Sequence, residues 1–76
     1  MEPKDLTLDF KQLRVLRQSL GITQVEAARR VGITRQRLWN YEEGIFPPSA
    51  EVLARLLRLY DADLSALEAN PVLAPA

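Results

Sequence analysis

The chain has 76 residues, of which 47% are hydrophobic, so it can form one small domain and is too apolar to be disordered. It contains no cysteine and no histidine, which excludes disulfides, thiolate chemistry and an ordinary zinc site. No apolar run is long enough to span a bilayer, and the charged N-terminus does not resemble a signal peptide, so we expect a cytoplasmic protein.

The ten basic and ten acidic residues cancel, but they are unevenly distributed along the chain. Residues 1–41 carry a net charge of +4 and residues 42–76 carry −4. A basic half followed by an acidic half suits a protein that binds DNA with one face. A well-mixed charged surface explains the same numbers, so charge alone leaves both interpretations open.

The first predicted helix follows a flexible lead of residues 1–8, in which Pro3 opposes helix formation. Asp9 can cap a helix that runs to about Leu20, and Gly21 can end it. Apolar residues at spacings of three, three and four predict a single buried stripe on this helix, formed by Phe10, Leu13, Leu16 and Leu20.

The second predicted helix begins at Thr23, which forms a capping box with Glu26, and ends at Gly32. Arg29 and Arg30 fall near its end, where the helix dipole favours cations, and a DNA phosphate contact is the alternative. Gln24 lies in the first turn beside free backbone N–H groups, which suits a phosphate oxygen.

The third predicted helix is capped by Thr34 and has two different sides. Leu38 and Tyr41 are three residues apart and share one side. The other side presents four polar or amphipathic residues, Arg35, Gln36, Trp39 and Asn40. Two short helices joined by a turn containing glycine form the layout of a DNA-reading helix-turn-helix.

The remaining chain predicts two more helices. Gly44 and the proline pair break the chain over residues 42–48, and Ser49 then caps a fourth helix. This helix has a wide apolar face, made of Val52, Leu53, Leu56, Leu57 and Tyr60. After a left-handed exit at Asp61, Asp63 can cap a short fifth helix, and Asn70–Pro71 closes it. We therefore predict an all-α fold of five helices over residues 9–70, with a tail over residues 71–76.

From Leu13 to Leu67 the sequence resembles the Cro and phage-repressor type of helix-turn-helix domain, called the XRE family. The residues that carry the resemblance are Leu16, Arg17, Gly21, Ile22, Thr23, Gln24, Ala28, Gly32, Ile33, Thr34, Tyr41, Glu42, Gly44, Pro48, Ser49, Leu64 and Leu67. The resemblance implies a five-helix lambda-repressor-like DNA-binding domain, and it implies double-stranded DNA as the partner.

The same resemblance implies roles for particular residues. The expected base-reading residues are Thr34, Arg35, Gln36, Trp39 and Asn40, with a place in the core or in an interface as the alternative for Trp39. The expected phosphate-binding residues are Thr23, Gln24, Arg30 and Arg37. Arg17 and Glu42 are expected to form a structural ion pair between the first and third helices.

Three features depart from the family pattern. The loop after the third helix is usually basic, but here it reads Ile45-Phe46-Pro47. Ala27 replaces a larger aliphatic residue and Leu57 replaces a small one, which is consistent with an exchange of volume. Asp61 replaces a glycine.

We expect a sequence-specific transcriptional regulator, a repressor, that binds DNA as a homodimer and belongs to a prokaryote or phage. The apolar residues expected at the dimer interface are Ile45, Phe46, Val72 and Leu73, whereas Leu64 and Leu67 are expected in the core. The alternative is a protein-interaction module of the same fold, either an antitoxin or an adaptor between regulators. Nothing in the sequence indicates an enzyme, a cofactor, a metal, a membrane or a small-molecule ligand.

Overall fold

Four α-helices and one 3₁₀ helix form the part of the chain that the structure, a computed structural model, describes, namely residues 8–68. The α-helices are α1 (Gln12–Ser19), α2 (Gln24–Val31), α3 (Arg35–Glu42) and α4 (Ala50–Leu59), and the 3₁₀ helix spans Leu64–Leu67. The predicted all-α class is confirmed. No helix within residues 8–68 is long and apolar enough to cross a membrane.

The predicted short fifth helix is present as a single 3₁₀ turn. Asp63 caps it by accepting a hydrogen bond from the backbone N–H of Ser65, but the backbone becomes extended at Glu68. Glu68 forms an antiparallel bridge with Leu8, a residue predicted to lie in the flexible lead. This pairing needs extended backbone, so it ends the helix after one turn. Residues 1–7 of the predicted lead, residues 69–70 at the end of the predicted domain, and the predicted tail of residues 71–76 lie outside the described residues.

Three of the predicted N-caps are confirmed. The hydroxyl groups of Thr23, Thr34 and Ser49 each accept a hydrogen bond from a backbone N–H three residues later, which satisfies one of the free donors at a helix start. The other half of the predicted capping box at Thr23 does not form. Glu26 instead accepts hydrogen bonds from Arg29 and Arg30, since charged donors on the next turn bind a carboxylate more strongly than a backbone amide does.

The first helix begins later than predicted. Asp9 accepts a hydrogen bond from the backbone N–H of Lys11, which forms a turn, and the α-helix starts only at Gln12. The turn before α1 is tighter than an α-helix. The backbone N–H groups of Gln12 and Leu13 donate to the carbonyl oxygens three residues earlier, those of Asp9 and Phe10.

The core lies where α2 meets α3 and α4, and where α1 meets α3 and the 3₁₀ helix. Its ten buried apolar residues are Leu13, Ala27, Ala28, Val31, Leu38, Tyr41, Leu56, Leu57, Tyr60 and Leu67. Leu67 is fully buried as predicted, but the prediction for Leu64 is wrong, because this side chain is 49% exposed. Leu64 forms the rim of a shallow apolar groove of about 200 Å³ beside α4, where nothing in the described chain covers it.

The left-handed turns predicted at the helix ends are present. Gly32 has a φ of 80° after α2 and Asp61 has a φ of 56° after α4. At Gly32 the tight exit allows α3 to start after only two further residues.

The hydroxyl group of Tyr60 differs from the other buried side-chain polar atoms of the described chain. It is buried and has no hydrogen-bond partner among residues 8–68. Burial and, to a smaller extent, the charge of Glu42 raise the pKa of Tyr60 to about 12, and the charge of Arg17 opposes this shift.

Tyr60→Phe should therefore leave the free energy of unfolding unchanged or raise it by up to about 1 kcal/mol, because the substitution removes a buried polar atom without a bond to lose. Urea unfolding followed by circular dichroism measures the change. Leu38→Ala is the matched core control and should lower stability by about 2–5 kcal/mol. A loss above about 1 kcal/mol for Tyr60→Phe would mean that the hydroxyl group does have a partner.

Candidate nucleic-acid interface

The helix-turn-helix is held rigid by the exit from α2. The backbone N–H groups of Gly32 and Ile33 donate to the carbonyl oxygens of Arg29 and Ala28, which closes the helix end. Leu38 and Tyr41 of α3 are buried in the core shared with α2. Because both helices bury one side in this core, α3 has a defined angle to α2.

The opposite side of α3 is uncovered. Arg35, Gln36 and Arg37 are exposed, and Asn40 is half-buried. Trp39 is 37% exposed, so its ring is partly packed on the domain and partly open to solvent. We refer to Thr34, Arg35, Gln36, Trp39 and Asn40 together as the α3 face.

Two residues of the α3 face orient each other. The amide nitrogen of Gln36 donates to the side-chain oxygen of Asn40 at 3.2 Å, one helical turn away. This bond leaves the Asn40 amide nitrogen and the Gln36 amide oxygen free. A free amide donor and a free amide acceptor side by side match the pattern that adenine presents in the major groove.

A buried ion pair connects α3 to α1. Arg17 Nε donates to Glu42 Oε2 at 2.7 Å and Arg17 Nη2 donates to Glu42 Oε1 at 3.1 Å, which makes a bidentate pair. Arg17 Nη1 also donates to the carbonyl oxygen of Ile22 at 2.8 Å. Glu42 is 1% exposed and Arg17 is 8% exposed, so water screens the pair poorly. The two residues that the family resemblance pairs are thus in contact.

Gln24 extends this ion pair to α2. Its amide nitrogen donates to Glu42 Oε1 at 2.9 Å, so the start of α2 is tied to the end of α3. Sequence reasoning assigned Gln24 only to phosphate and missed this bond. The amide group carries two N–H bonds, and the second remains free to donate outward.

Arg14 and Glu43 form a second bridge between α1 and the residue after α3, which sequence reasoning also missed. This bridge raises the pKa of Arg14, mainly through the hydrogen bond to Glu43 and then through the charge of Glu43. The signal was present in the spacing, since Arg14 precedes Arg17 by three residues and Glu43 follows Glu42. Residues three apart share a helix face, so the two pairs lie side by side.

The four predicted phosphate ligands lie in three different places. Thr23 and Gln24 stand at the start of α2, beside the end of α3. Arg37 is exposed on α3. Arg30 lies on another side of α2, where its Nε donates to Glu26 and its side chain lines a pocket that contains no residue of α3.

The predicted dimer residues are only partly described. Ile45 and Phe46 are exposed, and the Phe46 ring packs edge-on against Tyr41 with 5.8 Å between ring centres. This contact presents the apolar loop from the end of α3 and orients it. Val72 and Leu73 lie outside the described residues. Within residues 8–68 there is no cluster of side chains suited to holding a metal ion.

Comparison with known proteins identifies the class. Residues 11–69 match the family model described as a helix-turn-helix domain, so the chain belongs to that family. The predicted helix-turn-helix DNA-binding domain is thereby confirmed.

Two similar proteins are named as transcriptional regulators. An uncharacterized HTH-type transcriptional regulator of Methanothermobacter thermautotrophicus is 44% identical over 46 residues, which cover 60% of this chain and 67% of the relative. The HTH-type transcriptional regulator ImmR of Bacillus subtilis is 39% identical over 51 residues, or 67% of this chain and 40% of ImmR.

A solved structure shows the same fold. The crystal structure of the clp gene regulator ClgR from Corynebacterium glutamicum has a TM-score of 0.70 and 27% identity, and the match covers 74% of this chain and 60% of that chain. The chain thus spans less than two thirds of both ImmR and ClgR. What these relatives share with it is a DNA-binding domain of transcription regulators.

Replacing one partner of the buried ion pair should strongly destabilise the domain. Arg17→Ala leaves the buried carboxylate of Glu42 with only the bond from Gln24 and the partly exposed Arg14, whose Nε lies 3.6 Å away. Because neither replaces the lost bidentate partner, we expect the free energy of unfolding to fall by about 3–5 kcal/mol. Replacing both partners, as in Arg17→Met with Glu42→Leu, should cost much less. Urea unfolding of the three proteins measures the difference.

Arg29→Ala is the matched control, because Arg29 is exposed and shares Glu26 with Arg30. Its effect should stay below about 1 kcal/mol. If Arg17→Ala were no more damaging than Arg29→Ala, the buried pair would not hold α3.

Proposed function

We propose that the chain binds double-stranded DNA sequence-specifically as a homodimer and represses transcription, with α3 inserted in the major groove. The observation that carries this proposal is the α3 face, which is polar, uncovered and held at a defined angle by the Arg17–Glu42 pair. A major groove is wide enough to admit one α-helix, and base edges there present a pattern that polar side chains can distinguish.

Each residue of the α3 face has a chemical role in this proposal. Arg35 can donate two hydrogen bonds to guanine, and the Gln36–Asn40 pair can recognise adenine with its free donor and acceptor. Trp39 offers the exposed part of its ring to a thymine methyl group or to a sugar. Thr34 is at the helix start, close to the floor of the groove.

The phosphate backbone would be held from the start of α2. Gln24 bonds to Glu42 through one N–H and can donate the other to a phosphate oxygen, so the buried pair would orient the DNA contact. The hydroxyl group of Thr23 accepts from Glu26 and keeps its own hydrogen for a second contact. Arg37 adds charge from α3. Arg30, the fourth predicted phosphate ligand, lies on another side of α2, and its contact with phosphate stays a prediction.

The small size of the α3 face supports a dimer. One helix reads about half of a short site, and helix-turn-helix dimers normally bind half-sites roughly 34–36 Å apart. The exposed Ile45 and Phe46 supply apolar surface for the contact between copies, and Val72 and Leu73 are proposed to join them. A dimer bound across an operator represses by excluding polymerase, which needs no additional chemistry.

The apolar loop also supports a second candidate function. Because Ile45, Phe46 and Pro47 replace a usually basic phosphate clamp, the same surface could bind another protein, as in an antitoxin or an adaptor between regulators. The two functions differ in one respect. A repressor enriches a palindrome from random DNA, whereas a pure interaction module enriches nothing.

Selection from random DNA followed by affinity measurement tests base reading. Arg35→Ala should weaken the selected site by about 1–3 kcal/mol and relax the preference at one base pair, while Gln24→Ala should weaken all sequences alike. Arg29→Ala serves as a charge-matched control that keeps site preference. Equal losses on unrelated sequences for Arg35→Ala would refute its role in base reading.

Sedimentation of the Phe46→Asp variant tests the dimer. A buried, unpaired carboxylate at the contact should shift the equilibrium toward monomer, because burying a charge without a partner is costly. Val15→Asp is the control, since Val15 is also an exposed apolar residue but lies on α1. A dimer unchanged by Phe46→Asp would remove Phe46 from the interface.

A further inference from the structure

A second positively charged site lies apart from the α3 face. A pocket of about 290 Å³ opens between the C-terminal half of α2 and α4. Its lining residues, which we call the arginine pocket, are Arg30, Val31, Arg55, Arg58 and Leu59. No residue of α3 lines it, so the DNA-reading function leaves it unexplained.

One of the three arginines is fixed by the fold. Arg55 Nη1 donates to the carbonyl oxygen of Val31 at 3.1 Å, and Arg55 Nη2 donates to Glu51. The carbonyl of Val31 is at the end of α2, where no helical N–H can reach it. Arg55 therefore closes the helix end and forms a rigid wall of the pocket.

The other two arginines have donors to spare. Arg30 uses only its Nε, in the bond to Glu26, so its two terminal nitrogens have no partner among residues 8–68. The side chain of Arg58 is exposed and makes no ion pair within the same described part of the chain. Guanidinium groups with free terminal nitrogens bind phosphate in a forked, two-bond geometry.

The local charge is not neutralised. Glu26 Oε2 is shared between Arg29 and Arg30, and these bonds lower the pKa of Glu26. Glu51 is engaged by Arg55. Four arginines therefore face two glutamates, which leaves a net charge of about +2 around a concave surface.

We propose that the arginine pocket binds the phosphate group of a free, small phosphorylated molecule. Arg30 and Arg58 bind the phosphate oxygens, and Arg55 adds charge from a fixed position. Val31 and Leu59 form the apolar part of the lining and contact the carbon skeleton of the ligand. The pocket volume lies near the lower end of the roughly 300–1,000 Å³ typical of small-molecule sites, which limits the ligand to a small phosphate monoester.

The competing explanation is that the arginines only neutralise helix dipoles. Arg29 and Arg30 are in the last turn of α2, and Arg58 is in the last turn of α4. That explanation requires no ligand and predicts no saturable binding of phosphate. A third possibility, that the pocket contacts the phosphates of DNA, would appear in the affinity for DNA.

Nuclear magnetic resonance titration of the full chain with inorganic phosphate and with glycerol 3-phosphate tests the proposal, against sodium chloride at equal ionic strength. The Nε–H signals of Arg30 and Arg58 should shift and saturate, with tighter binding for glycerol 3-phosphate. Arg58→Gln should weaken binding about tenfold or more, because it removes a charged two-bond contact.

Two controls complete the design. Arg35→Gln removes the same charge from the α3 face and should leave phosphate binding intact. Arg58→Gln should leave the affinity for DNA and its salt dependence unchanged. If Arg58→Gln fails to fold, Arg30→Gln tests the same contact.

Three results would overturn the proposal. If the chemical shifts change linearly with phosphate concentration and equally at all arginines, phosphate only screens the arginine charges and does not occupy a site. Equal losses for Arg58→Gln and Arg35→Gln would show that binding depends on net charge alone. A fall of about one in the salt slope of DNA binding for Arg58→Gln would assign the pocket to the DNA backbone.

Discussion

The carboxylate of Glu42 joins three helices at one buried point. It ends α3, it accepts two hydrogen bonds from Arg17 of α1, and it accepts one from Gln24 at the start of α2. α3 spans eight residues, and only Leu38, Tyr41 and Glu42 are buried on it. The buried side chains of Leu38 and Tyr41 alone would hold so short a helix weakly, so the angle of α3 depends on the hydrogen bonds to Glu42. The α3 face can be uncovered and rigid because the opposite end of the helix is fixed.

A buried ion pair is a demanding way to fix a helix. Removing two charges from water is costly, and well-packed apolar residues often give equal or greater stability. The benefit lies in geometry, since a bidentate pair accepts one orientation whereas apolar side chains accept several. For the base-reading surface that we propose, orientation matters more than stability. The bond from Gln24 to Glu42 links the start of α2 to the end of α3, so the proposed phosphate contact and the angle of α3 would depend on one another.

The chain has two arginine-bearing surfaces with different local surroundings. On α3, Arg35 and Arg37 are exposed and have no carboxylate partner among the described residues. In the arginine pocket, Glu26 binds Arg30 and the end of α2 binds Arg55, whereas Arg58 makes no ion pair within residues 8–68. Exposed arginines suit a partner with a rigid surface of its own, such as a DNA duplex. Arginines arranged around a concave surface suit a small ligand, because a preformed site lowers the entropy cost of binding it.

The sequence by itself determined the four α-helices, the caps of α2, α3 and α4, and the sides of α3 and α4 that face the core. It was less accurate for α1, which lacks the predicted cap and leaves Leu20 of the predicted buried stripe 51% exposed. Caps such as Thr23, Thr34 and Ser49 depend on backbone groups within one turn, and the apolar spacing of α3 and α4 reports burial directly. The family pattern of residues also identified the α3 face and paired Arg17 with Glu42.

The tertiary structure alone decided where distant segments meet. Pairing of Leu8 with Glu68 limited the last helix to one 3₁₀ turn, although Asp63 caps it as its type predicts. Leu64 and Leu67 look alike in the sequence, but Leu67 is fully buried and Leu64 is 49% exposed. The engagement of Gln24 by Glu42, and the gathering of Arg30, Arg55 and Arg58 around one pocket, depend on helix angles. Those angles come from packing across the whole core, which no local pattern of residues encodes.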